Sequence, residues 1–193
     1  MFTINYQIDD SIEIFGKVYK VDLSFDNVLR FFDMLQDEDI HNVDKILLGI
    51  NILLGVSFLC SLEESYAIFN QLKSDFLKNE EVVKRDRQGN LLPTKKIKQN
   101  YSFTYDAAYI YASFMQAYGI DLLKEQGSLH WTKFKALLEG LPENTKFRQV
   151  IDIRTREMPK GKYAQRERKA LRELKRLYAL PGSDDEEEGE GED

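Results

Sequence analysis

Apolar and polar residues alternate at the start of the chain: Phe2, Ile4, Tyr6 and Ile8 are separated by Thr3, Asn5 and Gln7. After Asp9-Asp10-Ser11 the alternation resumes loosely through Ile12, Ile14, Val18, Val21 and Leu23, with a turn expected at Gly16-Lys17. Period-two patterning places one apolar face against a core, so a small hairpin or meander is predicted. A lone hairpin is marginal in water and must pack on the next stretch of chain. That stretch is helical. Ser24 can cap a helix carrying Val28, Leu29, Phe32 and Leu35. Residues 46–60 (ILLGINILLGVSFLC) hold 11 apolar residues in 15, which predicts a helix apolar on every side, central in a core or buried by another subunit. Ser61 and Glu64 form a capping box that opens a helix through Tyr66, Phe69, Leu72 and Phe76.

The pattern breaks over 79–100, where Gly89-Asn90 and Pro93-Thr94 signal turns, and a basic linker or long exposed hairpin is expected. A second helical half begins at Thr104 or Asp106 and pauses at Gly119. Ser128 is expected to cap a helix with Trp131, Phe134, Leu137 and Leu138, closed by Gly140-Leu141-Pro142. Phe147, Val150 and Ile151 mark another helix face. A last helix over 162–178 carries Tyr163, Ala170, Leu171, Leu174, Leu177 and Tyr178 on one stripe. The predicted fold is mainly α: a small N-terminal β-hairpin or meander packed on a multi-helix bundle. The expected divisions are 1–78, the linker 79–100, a helical half 101–178, and an acidic tail 179–193 too polar to fold.

Composition narrows the class. The chain has 193 residues, 12% of them aromatic, with four prolines and eleven glycines, too little punctuation for a many-stranded sandwich. Cys60 is the single cysteine and cannot form an internal disulfide, so a reducing cytoplasm is the expected home. The opening MFTINYQIDD lacks a basic region followed by an apolar run, so no secretory signal is expected. A membrane span needs about 20 apolar residues, and Asn51 and Ser57 interrupt the only contender. The net charge of −6 is unevenly placed: residues 184–193 carry eight acids and no base, residues 84–98 net +5, and residues 146–183 net +8. On the last helix Arg168, Arg172, Lys175 and Arg176 are read as a basic ridge, along which the acidic tail can fold back.

Signatures of catalysis are missing from the sequence: there is no phosphate loop, dinucleotide fingerprint, nucleophile elbow or H-E-x-x-H. No catalytic, cofactor or metal residue is assigned. Cys60 closes an apolar run and reads as an inert small hydrophobe, and Asp37, Glu38, Asp39, His41 and Asp44 lack calcium-loop spacing. Tyr105, Tyr109, Tyr111 and Tyr118 come after Lys95, Lys96 and Lys98. Basic residues beside aromatics suit single-stranded nucleic acid, but tyrosines at helical spacing more often pack, with a wet hydroxyl at the rim. These four tyrosines and the four basic-ridge residues form the candidate interaction surface.

Three runs carry a resemblance: Y-S-F-x-Y-D-A-x-Y-I-Y-A-x-F from Tyr101, Y-G-I-D-L from Tyr118, and L-H-W-x-K-F-x-A-L-L-x-G-L-P from Leu129. A further K-F-x-x-V-I-x-x-R from Lys146 and a basic last helix complete it. The chain resembles the siphophage and prophage family named for the fifteenth gene product of a Listeria-type phage. That resemblance implies a non-enzymatic tail assembly chaperone, encoded beside the tape-measure gene and free of cofactors. It also implies the tape-measure and tail tube proteins as partners, residence in the host cytoplasm and absence from the mature virion. Self-association is expected from the residues themselves, since the all-round apolar helix 46–60 and the aromatic helix 101–118 exceed what one small core buries. A nucleic-acid-binding phage protein using the basic segments, or a permanent tail or baseplate component, are the alternatives. The acidic DDEEEGEGED run departs from the family pattern.

Overall fold

The computed structural model describes residue 5 and residues 8–77, 100–161 and 164–182. The predicted start of the hairpin at Phe2, the basic segment 84–98, Tyr163 and the acidic run lie outside them. Seven α-helices, one π-helical turn and one two-stranded antiparallel hairpin make up the regular structure among the described residues, so the protein is mainly α. No helix there is long and apolar enough to cross a membrane. The residues form two compact units. The first holds those up to Leu77 together with Leu123–Ala136, and the second holds 100–122 together with 137–182. Residues 123–136 therefore group with a unit that precedes them by a long stretch of sequence.

In the first unit, β1 (Ser11–Ile14) pairs with β2 (Lys17–Lys20), Ile12 opposite Tyr19 and Ile14 opposite Lys17. The turn is Phe15-Gly16 rather than Gly16-Lys17, and both residues have positive φ, 52° and 73°. That is the requirement of a tight two-residue hairpin, which Gly16 meets freely and Phe15 meets under strain. Helix α1 (Phe25–Gln36) starts after Ser24, as expected, but Ser24 gives its hydroxyl to Asp22 Oδ1 at 2.7 Å and makes no cap bond. Its buried face is Phe25, Val28, Phe31 and Met34, while Leu29, Phe32 and Leu35 lie at the margin.

Helix α2 (Asn42–Leu54) corrects the predicted helix over 46–60. Gly55 adopts φ 65° and ends it, and only Gly49, Ile50 and Leu53 are buried. The cause is a close approach. A Cβ on Gly49 would lie 2.5 Å from the Phe69 ring and 2.8 Å from the Phe31 ring, so α2 presses its narrow side inward and leaves Val43, Leu47 and Leu48 outside. Helix α3 (Leu62–Leu72) opens with the predicted capping box: the Ser61 N–H and hydroxyl donate to Glu64 at 2.7 and 2.8 Å, and Glu64 N–H donates back. Those bonds to Ser61 hold the Glu64 carboxyl below its ordinary value. The helix stops at Leu72, not Phe76, and a π-helical turn (Lys73–Leu77) comes next.

Residues 21–27 hold this unit together by meeting helix ends. Asp22 N–H donates to Leu53 O at 2.7 Å, and Asn27 Nδ2 donates to Ile52 O at 2.7 Å, so both serve carbonyls that α2 leaves open. Trp131 N–H, at the start of α5 (Trp131–Glu139), donates to Leu23 O at 2.7 Å. Gly127 N–H donates to Asp26 Oδ1 at 2.8 Å. Phe25 stacks on Phe134 at 4.9 Å, and Trp131 meets the Phe32 ring edge-on at 5.7 Å.

The second unit contains α4 (Ala107–Tyr118), α6 (Lys146–Thr155), α7 (Gln165–Leu177) and the last residues of α5. Gly119 ends α4 at φ 67°, as the sequence indicates. Phe114 and Val150 are fully buried. Ser113 on α4 donates to Tyr109 O at 2.6 Å and accepts Phe147 N–H at 3.0 Å, which caps α6. The central contact is Arg154 with Asp106. Two guanidinium nitrogens each lie 2.7 Å from the carboxylate, Nη1 also donates to Asn100 O at 3.0 Å, and Nε donates to Tyr178 O at 2.6 Å. Asp106 is 1% exposed and Arg154 11%. The pair thus ties the approach to α4, the end of α6 and the end of α7.

Arg154→Met alone should lower stability by about 3–5 kcal/mol in urea melts, because it strands a buried carboxylate. Asp106→Leu combined with Arg154→Met should restore part of that loss; a double variant as unstable as the single one would show that burial of the charge is not the cause. Gly49→Ala gains about 1 kcal/mol of helix propensity and incurs about 1–3 kcal/mol of overpacking against two buried rings. A net loss of up to about 2 kcal/mol is expected, and a gain would mean that the rings yield.

Candidate interaction surface

Three of the four predicted tyrosines are spent inside the second unit. Tyr118 donates its hydroxyl to Leu137 O at 2.9 Å and meets Phe114 edge-on. Tyr111 donates to Asp121 Oδ1 at 3.2 Å. Tyr109 is half-buried, with Lys146 Nζ 5.7 Å over its ring and Tyr178 edge-on beside it at 6.1 Å. Tyr105 alone of the four is exposed. Nearby, burial, with a smaller contribution from Glu139, pushes the Tyr101 hydroxyl above its ordinary value.

The predicted basic ridge is also divided. Arg172 and Arg176 are exposed, whereas Arg168 donates to Gly161 O at 2.6 Å and Lys175 is half-buried and engaged. Of the expected apolar stripe among the described residues, Leu171 is buried and Tyr178 is half-buried against Tyr109 and Lys146. Leu174 and Leu177 are 39% and 72% exposed, and Ala170 is exposed too. Within α7 Leu171 is the one buried residue, and the half-buried Arg168 and Lys175 lie beside it.

The larger exposed apolar surface belongs to the first unit, where hydrophobic periodicity does not single it out. Phe58, in the connection after α2, takes the Phe15 ring edge-on at 6.1 Å and the Tyr19 ring at 5.2 Å. Phe15 stays 64% exposed, and Leu59 beside Phe58 is wholly exposed. Val43 and Leu47 on α2, and Leu62 and Tyr66 on α3, are pairs one helical turn apart and exposed. The local signal was in the turn. Asn-Gly is the favoured pair for two positive-φ residues, and this chain places Phe there. Such strain persists where the side chain has another use.

Polar chemistry is sparse by comparison. A depression of about 340 Å³ in the first unit is lined by Phe31, Phe32, Asn70, Lys73, Ser74 and Leu77, and its one charge, Lys73, lies 5.2 Å from the Phe69 ring centre. Cys60 is half-buried with its sulfur 3.3 Å from Ser65 Oγ. His130 accepts Thr132 N–H at Nδ1, 3.0 Å away, and so caps α5 in place of Ser128, whose hydroxyl turns to Glu125. An Nδ1 that accepts is unprotonated, which puts the ring proton on Nε2, 3.0 Å from Asp10 Oδ1. Among the described residues no group of three or more His, Cys, Asp or Glu is arranged to hold a metal ion.

A family model described as bacteriophage Gp15 protein matches residues 4–180. No curated protein and no solved structure matches the chain.

Phe15→Asn should leave the urea midpoint unchanged or slightly raised. It gives up an aromatic edge contact of about 0.5–1.5 kcal/mol and relieves about 1–2 kcal/mol of left-handed strain. A loss above about 1 kcal/mol would make Phe15 a folding residue rather than a presented one.

Proposed function

The chain belongs to the bacteriophage Gp15 family, and on that premise we propose that it is a tail-morphogenesis factor: a non-enzymatic chaperone that shields the tape-measure protein until the tail tube closes round it. The observation that carries the reading is the apolar surface of the first unit around Phe15, Phe58 and Leu59, with the exposed turns of α2 and α3. A tape measure is a long helical chain whose apolar stripe needs cover before tube subunits arrive. Shielding it requires apolar side chains presented on a stable scaffold and weak enough to release, and no bond-making chemistry. Tail tube protein would displace the chaperone by covering the same stripe. Self-association would keep the apolar surface covered between clients. The chaperone would act in the host cytoplasm and stay out of the finished virion, whereas a permanent tail or baseplate component would remain in it.

Affinity capture from infected cells tests this. The wild-type chain should retain the tape-measure protein, and Phe15→Asn with Leu59→Gln should retain at least about tenfold less, a difference of about 1.4 kcal/mol. Purified virions should lack the protein. Undiminished capture by the stable double variant, or stoichiometric protein in virions, would refute the reading.

A further inference from the structure

Helix α7 has thirteen residues, and Leu171 alone is buried. At 100° per residue, Arg166, Lys169, Arg172 and Arg176 recur at spacings of three, three and four, on the side turned away from Leu171. All four are exposed, and none has an ion-pair partner among the described residues. Arg168 and Lys175 fall beside the buried seam, which explains why they are engaged. One acid, Glu173, shares the outer side, one turn from Lys169 and from Arg176, so the stripe keeps a net charge of +3. Like charges at these spacings repel, and a helix that carries them gains from an anion laid along it.

We propose that this outer stripe of α7 seats the chain's own acidic segment, residues 184–193. The charges are complementary: the segment has eight acids and no base. The reach is sufficient. Ten residues extend up to about 33–36 Å, whereas thirteen helical residues span about 20 Å. The chain leaves α7 through a turn at Pro181-Gly182, with Gly182 at φ 80°, immediately before the segment. Attachment so close to the stripe gives the acids a high effective concentration, so contacts weak singly act together. The segment contains no apolar residue, so it covers the cations and leaves Leu174 and Leu177 free. Its effect is to screen the stripe from other polyanions, nucleic acid among them, without depending on the chaperone reading.

Zero-length carbodiimide cross-linking of the full chain, as an equal mixture of ¹⁴N- and ¹⁵N-labelled protein, tests the seat. Lys169 should link to acids within 184–193 of its own isotopic chain. Raising salt from about 50 to about 500 mM should cut the yield at least about fivefold, and so should Arg166→Gln, Arg172→Gln and Arg176→Gln together. In parallel, a chain lacking residues 184–193 should elute from heparin at higher salt than the full chain. Links only between ¹⁴N and ¹⁵N chains, no links from Lys169 to the segment, or unchanged heparin elution would each overturn the proposal.

Discussion

Short helices set the terms of this structure. Among the described residues each α-helix runs from nine to thirteen residues, and any α-helix leaves its first four N–H groups and last four carbonyls without internal partners. In helices this short those end groups are a large share of the backbone, and where they lie inside a unit the protein must supply their partners. Residues 21–27 do so in the first unit, meeting two open carbonyls of α2 and the first amide of α5. Lys45 adds a bond to Leu35 O at the end of α1. In the second unit Ser113 meets the start of α6 and Arg154 meets the end of α7. Arg154 can do this while buried because Asp106 neutralises it through a two-pronged contact, which also places a carboxylate at the positive end of α4.

This constraint divides labour between inside and outside. Polar side chains with the most specific geometry, Asp106, Arg154, Ser113, Asn27 and His130, are consumed in joining elements. The exterior holds apolar groups on the hairpin turn, α2 and α3, and cations on α7. Such a distribution is what the proposed shielding role would use. Strain at Phe15 fits this view, since the turn would fold more easily with a residue that tolerates positive φ and an exposed ring is what it receives instead.

Local signals were legible in the sequence and distant ones were not. The Ser61–Glu64 capping box, the stop at Gly119 and the hairpin each depend on neighbours within a few positions. The dense apolar run 46–60 hid the stop at Gly55, because periodicity cannot register a glycine whose φ turns positive. It also hid Gly49, whose meaning lies in rings of two other helices. Asp106 and Arg154 are separated by 48 positions, yet each stands in a run that carries the family resemblance, and pairing those two unusual charges would have found the contact. His130 has no legible role in the sequence, because its partners, Asp10 and the Thr132 amide, emerge only with the fold. Tyr109, Tyr111 and Tyr118 on α4 are half-buried, and their partners Tyr178, Asp121 and the Leu137 carbonyl are likewise distant in sequence.

Amide hydrogen exchange on the native protein measures the shared constraint directly. The amides of Trp131 and Phe147 sit at helix starts, where a free helix would exchange quickly, and that of Gly127 lies in the turn before α5. Here each donates to a partner on a different element: Leu23 O, Asp26 Oδ1 and Ser113 Oγ. The account predicts that these three exchange as slowly as mid-helix amides of their own unit, through its cooperative opening. Fast exchange at these positions, typical of frayed ends, would contradict it.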